Sequence, residues 1–159
     1  MITVYKEYLK EKLTEAGIKA KICTSLKELK QYSGVELGAV LPGEEEFARV
    51  SAKNYVTIDG KKFLRKKTYK RTTNVVIVIS GKDDCTTDEI MCTFLEILGL
   101  GIEDGKGNWV EIECRKGDWV DEADSVLRNK IAVQLLIKFI GGIYIDTPVT
   151  PINNIEFDV

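Results

Sequence analysis

The 159-residue chain has no histidine. That removes the usual general base, the serine and cysteine triads that depend on it, and the histidine-bearing zinc signatures. Four cysteines are present, Cys23, Cys85, Cys92 and Cys114, and no two form a CxxC pair. Cys92 falls within a helical pattern and Cys114 on the apolar phase of a strand. Both are expected as small buried hydrophobes rather than reactive thiols. Gly99-Leu100-Gly101 and Gly105-Lys106-Gly107 lack the third glycine and the strand–helix setting of a nucleotide loop. The nearest approach to a catalytic set is Asp104, Glu111, Glu113 and Lys116, which loosely evokes a metal-dependent nuclease. Such a site needs an acidic residue and a Glu-x-Lys on adjacent strands. Here Cys114 and Arg115 follow Glu113, so the lysine comes one place late and is expected on the wrong face. Residues 103–108 fail as a calcium loop. With Gly107 in the invariant glycine place, Ile102 falls where the first carboxylate must sit. The expectation is no enzyme, no cofactor and no metal.

The residues left with chemistry to do are cations. Lys61, Lys62, Arg65, Lys66, Lys67, Lys70 and Arg71 crowd one stretch, with Phe63, Leu64 and Tyr69 interleaved, in a chain whose net charge is only −2. Two readings compete. Lysines guard exposed strands against edge-to-edge pairing, and a cationic surface also meets phosphate or an acidic protein. Base-specific readout has no support.

A core strand and a helix organise the chain around these residues. Val75 to Ile79 are five consecutive β-branched residues, suited to a strand buried on both faces. Thr86 and Glu89 have capping-box spacing, Ile90, Met91, Phe94, Leu95 and Leu98 recur at helical spacing, and Gly99 is expected as a left-handed stop. Before them, residues 3–16 read as a helix capped by Thr3 and ended by Gly17, and 18–23 as a short strand. Ser25 and Glu28 open a two-turn helix. Val35 to Leu41 alternate and end at Pro42-Gly43, expected as a turn, and Glu44 to Glu46 are expected to be solvated. Tyr55 to Ile58, Asp59-Gly60 and Lys61 to Leu64 form a hairpin signal, because Asp-Gly suits a type I′ turn.

After the helix, Trp109 to Arg115 alternate as a strand with Val110, Ile112 and Cys114 inward, and Lys116-Gly117-Asp118 are expected to turn the chain. Residues 119–129 are polar with no clear period. Residues 131–140 read as a long strand rather than a helix because of their β-branched content, with a break at Gly141-Gly142. From 147 onward the chain has little to pack on itself, yet Ile152, Ile155 and Phe157 are apolar, as in an arm that docks on something. The fold class is α+β: one domain over 1–146, a mostly antiparallel sheet with helices packed on one face, and a C-terminal arm over 147–159. The expected setting is cytoplasmic, since charged residues interrupt the N-terminus and no run is long enough to cross a membrane.

In element order and length the chain resembles the tail terminator and tail-completion proteins of long-tailed bacteriophages. The residues carrying the resemblance are Tyr69–Arg71 leading into Val75–Ile79, the capped helix 86–98, and the closing Phe139-Ile140-Gly141-Gly142-Ile143-Tyr144. The resemblance implies a structural protein without a catalytic site. It implies self-assembly into a ring, typically a hexamer, that caps the tail tube at the head–tail junction and ends up in the virion tail. Its partners would be tail-tube and head-completion proteins, with non-specific DNA contact at the lysine-rich hairpin and no membrane. A ring is heterologous, so each subunit needs two different patches. Trp119, Tyr144, Ile152 and Phe157 are the expected subunit contacts.

Overall fold

The computed structural model describes residues 1–120, 127 and 130–152. Three helices, α1 (Ile2–Glu15), α2 (Leu26–Gln31) and α3 (Asp84–Ile97), accompany six strands: β1 (Ile22–Cys23), β2 (Leu37–Ile58), β3 (Lys61–Ser80), β4 (Gly101–Glu103), β5 (Trp109–Trp119) and β6 (Ala132–Pro148). The sheet order is β1-β2-β3-β6-β5-β4, antiparallel except for the β1–β2 pair. The expected α+β class is present.

Val75, Ile77 and Ile79 of β3 meet α1 and α3 on one face of the sheet, where Leu9, Leu13, Phe94, Ile137 and Phe139 are fully buried. The Tyr5 ring stacks on Phe139 with centroids 4.1 Å apart. Val78 points the other way, into a smaller cluster with Cys23, Leu37, Ala39 and Leu29 of α2. The β-branched run is therefore buried on both sides, as read. The long-strand reading of 131–140 also holds, although Ile131 itself precedes the strand. The third helix, α2, covers part of the face opposite α1 and α3.

Several local expectations are corrected. Asp83 caps α3, because its carboxylate accepts from Thr86 N at 2.7 Å and its backbone is extended; Thr86 lies inside the helix. α1 starts at Ile2 with no side-chain cap. The left-handed glycine stop exists at Gly17 and not at Gly99, since the chain leaves α3 through Leu98 and Gly99 N donates to the Tyr8 hydroxyl. The strand expected over 18–23 is reduced to Ile22–Cys23. Cys92 is exposed and Cys114 half-buried, whereas Cys23 is the fully buried thiol. Lys116–Asp118 stay in β5, and Gly141-Gly142 stay in β6, which runs on to Pro148.

Pro42-Gly43 does not turn the chain either. It forms a β-bulge between the Pro42↔Val75 and Glu45↔Thr73 pairs, and β2 continues to Ile58. Proline is tolerated on such an edge, and Gly43 is needed because a Cβ there would sit 2.8 Å from the Asn74 carbonyl oxygen. The hairpin recognised at Asp59-Gly60 is thus the tip of a far longer one. Both turn residues have positive φ, 50° and 74°. Among the described residues, neither core cluster contains anything from 42 to 74. Beyond the helices the outer parts of β2, β3 and β6 form a three-stranded arm. From Glu45 to Ile58 it spans about 45 Å at roughly 3.3 Å per residue. At one level the strands step unequally: Arg49 to Ala52 on β2, Tyr69 to Lys67 on β3 and Ile143 to Tyr144 on β6.

Candidate interaction surface

The seven cations singled out in the sequence lie on the arm, but they divide into two kinds. Arg65 is 3% exposed. Its guanidinium grips Asp146 through two bonds of 2.8 Å and donates to the Lys106 carbonyl at 2.7 Å and the Asn108 side-chain oxygen at 3.0 Å. The 104–108 turn is itself held by Asp104, which accepts from Lys106 N, Asn108 N and Asn108 Nδ2. Burial alone would raise the Asp104 carboxyl, but these hydrogen bonds and the nearby Arg65 leave it below the usual range. Asp146 is likewise lowered, first by its hydrogen bonds from Arg65. Arg65 therefore fastens the arm to the β4–β5 turn and is corrected out of the contact set.

Arg71 makes a similar two-pronged pair with Glu45, at 2.7 and 2.9 Å, and Thr73 Oγ1 donates to the same carboxylate at 3.0 Å. The Arg71 hydrogen bonds hold Glu45 below its ordinary value. The acidic cluster 44–46 is thus partly engaged, contrary to the expectation of simple solvation. Lys61, Lys62, Lys66, Lys67 and Lys70 differ from the arginines: among the described residues none of them forms an ion pair. Lys62 Nζ lies 4.5 Å from the Tyr55 ring centroid and Lys67 Nζ 5.9 Å from that of Tyr144.

The register adds residues that the sequence reading missed. Lys53 on β2 stands directly opposite Lys66, and Tyr55 opposite Leu64. Alternation then places Lys53, Tyr55 and Thr57 with Lys62, Leu64 and Lys66 on one face, continued by Ile145 of β6. Arg49 extends the cationic surface, donating to the Tyr69 hydroxyl at 2.9 Å while lying over its ring. Counting pairs outward from Asp59-Gly60 past Tyr55 on the outgoing strand finds Lys53 opposite Lys66. Residues 47–70 and 143–148 together hold eight cations and two acids, Asp59 and Asp146, so the rest of the chain carries a net charge of −8.

The expected subunit contacts are scattered. Trp119 is half-exposed at the end of β5, Tyr144 is packed among Arg65, Lys67 and Gly142, and Ile152 is 82% exposed beyond β6. Phe157 lies outside the described residues.

The nuclease-like set is not assembled. Glu113 is paired with Arg115 at 2.6 Å, and Asp104 is spent on its own turn. One detail is corrected: a bulge at Arg115 restores Lys116 to the face of Glu113, where it pairs with Asp118 at 3.0 Å. Among the described residues no group of three histidine, cysteine, aspartate or glutamate side chains is placed to hold a metal ion. No helix among them is long and apolar enough to cross a membrane. Comparison with protein-family models and with curated proteins finds no match.

Proposed function

We propose that this chain is a structural assembly protein of a phage or prophage tail, a terminator or completion protein acting at the head–tail junction. The observation that carries the reading is the arm: three strands projecting past the helices, with five lysines that form no ion pair among the described residues and with Phe47, Tyr55 and Ile145 each more than half exposed. A monomer gains nothing from extending such a surface into water, whereas a subunit that must touch neighbours does. The element order described above adds to it. On this reading the protein forms a ring, contacts tail-tube and head-completion proteins, and passes from the cytoplasm into the virion tail. The test is genetic: disabling the gene in the phage or prophage that carries it should leave tails of uncontrolled length or tails without heads. Normal particles would overturn the proposal.

A second reading, a small nucleic-acid-binding module, is favoured by the five lysines without acidic partners among the described residues. It requires salt-sensitive DNA binding by a monomer, lost when Lys61, Lys62, Lys66 and Lys67 become Glu.

A further inference from the structure

We infer that the face of the arm bearing Lys53, Lys62 and Lys66 docks on the outer side of α3 in a second copy of this chain. The inference rests on the reading of a self-assembling protein and names one of its contacts. These three lysines are exposed and form no ion pair among the described residues. Lys53 stands directly opposite Lys66, a like-charge arrangement that is unfavourable without an anion. Alternation puts Lys61, Arg65 and Lys67 on the other face of the arm. There Asp146 neutralises Arg65, and Lys67 is half-buried beside the Tyr144 ring, which leaves Lys61. The charge is therefore concentrated on the first face, where Tyr55 and Ile145 add exposed apolar surface.

The chain carries the opposite surface on α3. No lysine or arginine occurs from Asp83 to Gly105. Phe94 and Thr87 turn one side of α3 into the core, and helical spacing leaves Asp84, Asp88, Glu89 and Glu96 on the outer side, all exposed. None of the four forms an ion pair among the described residues. Leu95 is exposed among them, Leu100 follows at 86% exposed, and Trp109 is 59% exposed where it lies against Gly101. Both surfaces thus combine apolar groups with charge of one sign, and the signs are complementary. Their charged rows also match in length. Lys62 to Lys66 spans about 13 Å at the rise of a strand, and Glu89 to Glu96 about 11 Å at that of a helix. The arm projects past its own helices, and no ion pair joins its lysines to α3 among the described residues, so the two surfaces meet between copies. Two arms laid together would set cation against cation. A nucleic acid would answer the lysines but be repelled by α3, whereas a second copy answers both surfaces at once. Because the two patches differ, the contact is heterologous and can repeat from copy to copy.

The experiment is sedimentation velocity of the full chain, reduced and at low salt, over a range of concentrations. Wild type should associate. D88K/E96K should weaken association by about tenfold or more, and K53E/K66E should do the same. The two pairs combined should recover most of the loss, because the charges are then exchanged across the contact. Circular dichroism checks that each variant is folded. A second readout locates the contact: Lys66→Cys, mildly oxidised, should join to Cys85 or Cys92, both exposed on α3, in another copy. Peptide mass spectrometry identifies the joined pair. Association unchanged in D88K/E96K overturns the inference, as does a combined variant that recovers nothing. It is also overturned, in favour of nucleic acid, if K53E/K66E loses salt-sensitive binding to a DNA duplex while its self-association is intact. A wild type that stays monomeric overturns it too. In each case the genetic test of the proposed function stands separately.

Discussion

Arg65 and its neighbouring lysines share a stretch of sequence and have opposite fates. The difference lies in Asp146, 81 residues away in the chain, which β6 brings alongside. Nothing local marks Arg65 as the buried one, so the sequence reading placed it with the exposed cations. Replacing it by Met removes the donor to the Lys106 carbonyl and to Asn108, and should cost about 2 kcal/mol in denaturant unfolding. The same substitution at exposed Lys66 should cost less than about 0.5 kcal/mol. The paired carboxylates also set a pH response. Glu45, Asp104 and Asp146 all titrate below their ordinary values. Their stabilisation is complete above the unfolded carboxylate range near pH ~4 and is lost as pH falls through the lowered folded values. Acid titration followed by near-UV circular dichroism should show unfolding on that side, with a shallower slope in Arg71→Met.

At the level of elements, what was legible was whatever announces itself within a few residues. The core strand 75–79, the Ser25 cap with its bond from Glu28 N, and the Asp59-Gly60 turn were all visible in this way. What was hidden was continuity. Pro42-Gly43, Lys116–Asp118 and Gly141-Gly142 carry turn-forming residues, yet each lies inside a strand whose partners hold it extended. Bulges absorb the misfit at Pro42-Gly43 and just before Lys116, while Gly141-Gly142 pair with Arg71 and Lys70 in unbroken register, and a bulge leaves no clear trace in one sequence. Asp83 displaced Thr86 as the cap for a related reason, since both residue types suit the position and geometry decides. The helix-covered part of the sheet and the arm should therefore respond differently to truncation. Phe94→Ala removes a fully buried ring and should lose roughly 3–5 kcal/mol. Tyr55→Ala removes a ring that is 63% exposed and should change thermal stability little. Differential scanning calorimetry of the two variants checks the contrast.

At the scale of the whole molecule, charge is segregated. The near-neutral total conceals a cationic arm, since residues 47–70 and 143–148 sum to +6 and the rest of the sequence to −8, and composition alone gave no hint of it. Contacts between such copies are screened by salt. Self-association measured by light scattering should weaken from about 0.05 to 0.5 M NaCl, and K53E/K66E should flatten that dependence. The unequal stepping at the base of the arm has a geometric consequence as well. Over one level β2 advances three residues, β3 two and β6 one. They resemble the lanes of a curved track, with β6 innermost and β2 outermost, so the arm veers sideways within the plane of its own sheet. Deleting Thr68 from the middle lane would shift it by one residue and exchange the sides on which Lys62 and Lys61 emerge. Where the tip is delivered, and which side it shows on arrival, is thus written in three surplus residues far from the tip itself.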